Sequence, residues 1–132
     1  MVIFMVVIIV IGIVLSAILL PEIGAGIPTP AQHNISTLLC KKLHEDKVIL
    51  KLFEDQQVTL DDIKWGWHYR SITISYYVNK KEFDPSPIVQ QTRNLALQID
   101  VISQTALIHV EFIYGTPDTN SIPFKEESIK LQ

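Results

Sequence analysis

The stretch DPSPIVQQTRNLALQIDVISQTALIHVEFIY, residues 84–114, decides the fold of this chain. Ser86 is a good helix N-cap and Pro87 suits the first helical position, and apolar side chains then recur every three or four residues. This pattern predicts a helix over residues 87–103. Over residues 105–114 apolar and polar side chains alternate, which predicts a strand.

A second alternating segment, residues 71–78, precedes this helix and predicts another strand. Strand, helix and strand in this order form a β-α-β unit, whose two strands lie parallel in one sheet. The helix covers one face of that sheet, so the other face is either solvated or in contact with a partner. That second face would carry Ser71, Thr73, Ser75, Tyr77, His109 and Glu111.

The segment before these strands predicts an amphipathic helix over residues 36–53. Ser36 or Thr37 can cap it, and leucines follow at near-helical spacing. The sequence KVILKLF, which begins at Lys47, is also compatible with a strand because it contains β-branched residues.

Residues 63–78 alternate, but the parity of the apolar positions changes at Arg70-Ser71. A long strand with a β-bulge explains this change at least as well as a hairpin, because the turn would lack Gly, Asn and Asp. Thr59 could instead cap a short helix. We favour a strand from about Lys64 onward.

An aromatic group, Trp65, Trp67 and Tyr69, would project from one side of this strand. As core residues, the three rings would pack beneath the helix at 36–53. As exposed residues near a membrane, they could stack on sugar rings or on a partner protein. Exposure of the rings therefore discriminates between the two interpretations.

The N-terminal segment, residues 1–20, contains no charged residue and is almost entirely aliphatic. As a helix it would be about 30 Å long, which matches the hydrocarbon thickness of a bilayer. A cleavable signal would have a basic residue before the apolar stretch, whereas the first Lys or Arg here is Lys41. We therefore predict an uncleaved transmembrane helix. Small residues around Gly24 and Gly26 leave signal cleavage and a secreted soluble domain as the alternative.

The predicted fold class is α+β. A transmembrane helix at 1–20 is followed by a Pro/Gly spacer at 21–35, and a flexible tail closes the chain at 116–132. Between them, residues 36–115 form a small two-layer domain, with an amphipathic helix and then a β-α-β unit that has one covered sheet face.

The side of the membrane depends on distant charges. The positive-inside rule, applied strictly, would place Lys41 and Lys42, and with them the domain, in the cytoplasm. Both residues, however, lie at the limit of the distance from the span within which the rule counts charges. By analogy with small bitopic envelope proteins, we expect the domain outside the cytoplasm.

Composition excludes several classes of function. The net charge is −3 and the basic residues are scattered, which argues against a nucleic-acid surface. A single cysteine, Cys40, excludes an internal disulfide and multi-cysteine zinc patterns. Cys40 and His44 share a helix face, but two such residues do not make a metal or nucleophile site. No catalytic motif occurs, so we expect no enzyme and no catalytic, cofactor or metal site.

The expected function is that of a single-pass membrane protein. Its α+β domain would make protein-protein contacts as a subunit or accessory factor of a membrane or envelope assembly, through a sheet edge or an open sheet face. Its partners would be the bilayer and other membrane or envelope proteins, with the oligomeric state left open. The alternative is a cell-wall glycan-binding module. The candidate interaction surface comprises Trp65, Trp67, Tyr69, Ser71, Thr73, Ser75, Tyr77, His109 and Glu111.

Overall fold

The computed structural model describes residues 28–68, 71–101, 104–105, 107–118 and 121–131. In these residues three helices pack against a four-stranded sheet, so the α+β class is confirmed. None of the described helices combines the length and apolar character that crossing a bilayer requires. The predicted span at residues 1–20 lies outside the described residues.

The first helix, α1, spans Pro30–Glu45 and begins earlier than the sequence predicted. The Thr29 hydroxyl accepts a hydrogen bond from the Gln32 amide at 3.2 Å, and the Gln32 side chain accepts one from the Thr29 amide at 2.9 Å. Pro30 suits the first turn because that turn needs no amide donor. The proline that indicated a spacer up to residue 35 therefore starts a helix instead.

The predicted single helix over 36–53 is in fact two helices. Asp46 adopts an extended conformation at the end of α1 and caps α2, Lys47–Asp55, by accepting a hydrogen bond from the Ile49 amide at 3.0 Å. The apolar spacing continues across this break because both helices bury leucine, isoleucine or phenylalanine side chains in the same core. The strand alternative for KVILKLF is therefore wrong.

Strands β1, Leu60–His68, and β2, Ser71–Val78, pair antiparallel with His68 opposite Ser71. The change of parity thus marks a reversal of the chain between two strands, and the predicted long bulged strand is wrong. A register shift does occur, but between Leu60 and Asp62. The short helix considered at Thr59 is replaced by β1.

The β-α-β unit is confirmed. Helix α3, Ser86–Gln98, connects β2 to β3, Leu107–Tyr114, and the two strands pair in parallel. Ile74 lies opposite Val110 in this register, and both side chains are buried. The N-cap is Pro85 and not Ser86 as predicted, and no side chain caps the helix with a hydrogen bond. The helix also ends at Gln98, earlier than residue 103, where the pattern predicted its last turn.

A fourth strand, β4, spans Pro123–Lys130 and pairs antiparallel with β3, so the sheet order is β1-β2-β3-β4. The sequence had predicted a flexible tail from residue 116. β4 is an edge strand whose central residues are charged, so the alternation of apolar and polar residues that would have predicted it is weak. Ile129 nevertheless reaches the core opposite Ile108.

The core lies between the helices and one face of the sheet. Its largest fully buried side chain is Tyr76, whose ring contacts Phe53 and Phe112 at centroid distances of 5.7 and 5.4 Å. The Tyr76 hydroxyl lies 2.6 Å from the Thr92 hydroxyl, which itself donates to the Ile88 carbonyl at 2.7 Å. Two consecutive hydrogen bonds thus link the sheet to α3 through an otherwise apolar layer.

Candidate functional site

The sheet face that points away from the helices is here called the open face. In β2 and β3 every second residue, such as Ile74 or Val110, is buried beneath the helices, so the residues between them point to the open face. The structure places all six predicted side chains of the two strands there: Ser71, Thr73, Ser75, Tyr77, His109 and Glu111.

Three potential metal ligands meet on the open face: His109, Glu111 and Glu126. We call them the open-face cluster. One ligand atom from each side chain lies within 4.8 Å of the others. His109 Nε2 is 3.6 Å from a carboxylate oxygen of Glu126, and Ser75 donates a hydrogen bond to Glu111 at 2.6 Å. Imidazole nitrogen and carboxylate oxygen are both ligands for first-row transition ions.

The strand register explains how the open-face cluster forms. His109 and Glu111 are two residues apart on β3 and therefore share a face, and Glu126 lies directly opposite Glu111 on β4. The sequence did not predict this arrangement of side chains, because Glu126 falls in the segment expected to be a tail. The cluster lines a depression of about 450 Å³ together with His68 and Thr73.

The two tryptophans of the candidate surface lie on the other face of the sheet. Trp67 is only 9% exposed, and its indole N–H donates to the Ser36 hydroxyl at 2.9 Å. Trp65 is half-buried, with its ring 5.1 Å from the His33 ring of α1 in an edge-on arrangement. Tyr69 lies outside the described residues. The nine candidate residues therefore do not form one surface, because β1 directs its indole side chains toward the helices.

The free edge of β4 borders a second feature, here called the edge groove. β4 is the last strand of the described sheet, so only one side of its backbone is paired with another strand. Between this edge and α3 lies a groove of about 470 Å³. It is lined by Val89, Gln90 and Arg93 of α3 and by Ser128, Ile129 and Lys130 of β4.

Cys40 and His44 are brought together, but not in a catalytic arrangement. Both point at the Ile63 carbonyl, with the sulfur at 3.6 Å and the imidazole Nε2 at 2.9 Å. Burial raises the pKa of the Cys40 thiol, and the negative charge of Asp62 raises it further. A thiol held in its neutral form is a poor nucleophile and a poor metal ligand.

Comparisons of the chain with protein-family models, with curated proteins and with solved structures gave no match. The interpretation of function therefore depends on the physical features of two places, the edge groove and the open-face cluster. The first is suited to an extended polypeptide, because it joins an unpaired strand edge to a helix. The second is suited to a cation.

Proposed function

We propose that this protein is a single-pass membrane protein whose domain binds an extended segment of another membrane or envelope protein in the edge groove. The observation that carries this proposal is the position of the groove, between the free edge of β4 and α3. An added strand would hydrogen-bond to the backbone of β4 while its alternate side chains contact the helix. The eight residues of β4 offer a pairing edge of ordinary strand length.

The opposite edge of the sheet is less suited to strand addition. β1 has a register shift between Leu60 and Asp62, which disturbs regular pairing at its start. Gly66 in its middle offers no side chain for packing. β4 has a comparable register shift at its first residues, opposite Phe112 and Ile113, but it carries a side chain at every position.

The chemistry of the groove favours a particular kind of segment. Val89 and Ile129 provide apolar contacts, and the charged residues that line the groove are Arg93 and Lys130. Complementarity then favours an extended segment in which apolar residues alternate with acidic ones. The acidic residues of the segment would lie near Lys130, because Glu126 and Glu127 further along the same edge would repel them.

Tethering restricts where the partner is found. With residues 1–20 in the bilayer, the nine residues 21–29 connect the span to α1. Nine extended residues reach at most about 30 Å, so the groove stays near the membrane surface. Confinement to the same membrane raises the effective concentration of a membrane-bound partner and compensates for a modest intrinsic affinity.

Site-specific photo-crosslinking in native membranes tests the docking proposal. A photoreactive residue at Gln90, inside the groove, should crosslink to an extended acidic segment of one membrane protein, and Arg93→Glu should abolish the product. The same probe at Lys51, an exposed position on α2 away from the groove, is the matched control. Equal products from both positions, a product formed with a second copy of this chain, or no effect of Arg93→Glu would each refute the proposal.

A separate experiment tests the membrane anchor. Val10→Arg combined with Val14→Arg places two charges at the centre of the apolar run, each at a cost of about 2.5–3.5 kcal/mol for insertion. The double variant should leave the membrane fraction after a high-salt wash. A variant that stays with the membranes, or a mature wild-type chain that begins near Gly26 or Gln32, would contradict the anchor. The second result would indicate a secreted soluble domain.

A further inference from the structure

The open-face cluster joins two carboxylates and one imidazole across the paired strands β3 and β4. Glu111 and Glu126 are direct cross-strand neighbours, an arrangement in which like charges destabilise a strand pair. Within the described residues neither carboxylate forms an ion pair with a lysine or arginine. The nearby cationic partner is His109, which is charged only when it is protonated. A bound cation would offset this repulsion.

We propose that the open-face cluster binds one divalent transition-metal ion, with His109, Glu111 and Glu126 as its protein ligands. The imidazole distinguishes this set from a purely acidic patch. Ca²⁺ and Mg²⁺ take oxygen ligands, whereas Zn²⁺ and its first-row neighbours accept nitrogen together with carboxylate oxygen. The proposal is independent of peptide binding in the edge groove.

The spacing of the ligand atoms is close to what such an ion needs. Around a tetrahedral ion with bonds of about 2.1 Å, ligand atoms are about 3.4 Å apart. The His109 and Glu126 atoms are already 3.6 Å apart, and all three ligand atoms lie within 4.8 Å of one another. Small rotations of the glutamate side chains, whose terminal torsions are soft, close the remaining gap.

Two further features support a site of this type. The Ser75 hydroxyl restrains the Glu111 carboxylate through a 2.6 Å hydrogen bond, as residues surrounding metal ligands commonly do. The depression at the cluster is open to solvent and has room for water beside the ion. Three protein ligands with a fourth position left for water are typical of open zinc sites, in contrast to the closed four-ligand structural sites.

Metal titration of the full-length chain in detergent micelles tests the proposal. The metal-free protein is titrated with Co²⁺, whose visible spectrum reports its coordination, and Zn²⁺ is then added as a competitor and followed by calorimetry. We expect one saturable equivalent per chain. His109→Gln, Glu111→Gln and Glu126→Gln should each weaken binding by about tenfold or more.

Two matched control variants show whether binding requires these three side chains in particular. Glu127→Gln makes the same charge change at the adjacent residue of β4, which faces the other side of the sheet, and it should leave affinity unchanged. His44→Gln removes the imidazole near Cys40 and should also have no effect. Circular dichroism of each metal-free variant confirms that it folds.

Three results would overturn the proposal. They are the absence of saturable binding to the folded wild-type chain, unchanged affinity in a folded Glu111→Gln variant, and loss of binding in His44→Gln. The absence of binding together with a large loss of stability in Glu126→Gln would assign His109 and Glu126 to a simple ion pair instead.

Discussion

The buried hydrogen bond between Tyr76 and Thr92 predicts that substituting one partner lowers the free energy of unfolding more than substituting the other. The Thr92 hydroxyl has one proton, which it donates to the Ile88 carbonyl, so Tyr76 must be the donor between the two hydroxyls. Tyr76→Phe removes that donor and leaves no unsatisfied group, and it should lower the free energy of unfolding by about 1 kcal/mol. Thr92→Val leaves the fully buried phenol without an acceptor and should cost about 1–3 kcal/mol.

The double variant gives the decisive measurement. Adding Tyr76→Phe to Thr92→Val removes the unsatisfied phenol, so the double variant should be more stable than Thr92→Val alone by about 1 kcal/mol. Urea unfolding of the full-length chain in mild detergent, followed by circular dichroism, measures each free energy. In thermal unfolding, 1 kcal/mol corresponds to about 4–8 °C in Tm for a domain of this size. Losses that simply add in the double variant would refute the assigned donor and acceptor roles.

Because the Tyr76 hydroxyl is buried, we also expect the domain to lose stability at high pH. Burial raises the pKa of Tyr76 above its ordinary value of 10.0. Above pH 10 the unfolded chain therefore releases a proton that the folded chain retains, so the free energy of unfolding falls as pH rises. One such proton contributes about 1.4 kcal/mol per pH unit. In Tyr76→Phe the free energy of unfolding should therefore fall less steeply above pH 10 than in wild type. Equal slopes in the two proteins would contradict the burial argument.

Three further outcomes are expected. Because Cys40 is buried and its pKa is raised, its alkylation by iodoacetamide should be about tenfold slower or more in the folded chain than in urea, and equal rates would indicate an accessible thiol. Ile129→Ala should cost about 2–5 kcal/mol in urea unfolding, since the side chain is 4% exposed, and a neutral effect would restore the flexible-tail interpretation. Ser75→Ala should weaken zinc binding by about 10–100-fold through the freed Glu111 carboxylate, a change that calorimetry detects, and unchanged affinity would show that the hydroxyl plays no positioning role.

The β-α-β unit was predictable because its residues carry strong local signals. Helix α3 has Ser86 and Pro87 at its start and regular apolar spacing, and the flanking strands alternate cleanly. Alternation also assigned His109 and Glu111 to the same face of β3. These features depend on neighbouring residues, which a single sequence displays directly.

The remaining features depend on long-range pairing. The hairpin between His68 and Ser71 lacks the usual turn residues, so only the antiparallel register reveals it. β4 is largely polar and stays in the sheet because Ile129 packs opposite Ile108 and its backbone pairs with β3. Glu126 was consequently missed, and with it both the edge groove and the open-face cluster.

The order β1-β2-β3-β4 has a consequence for the attachment of β4. Within the described sheet each strand after β1 pairs with the one that precedes it in the chain, so β4 is held through β3 alone. Both proposed binding features need β4, one for its backbone edge and the other for Glu126. Under both proposals, binding therefore requires that β4 is paired with β3. Transient detachment of β4 would therefore abolish both proposed binding functions at once, while β1, β2 and β3 remain paired.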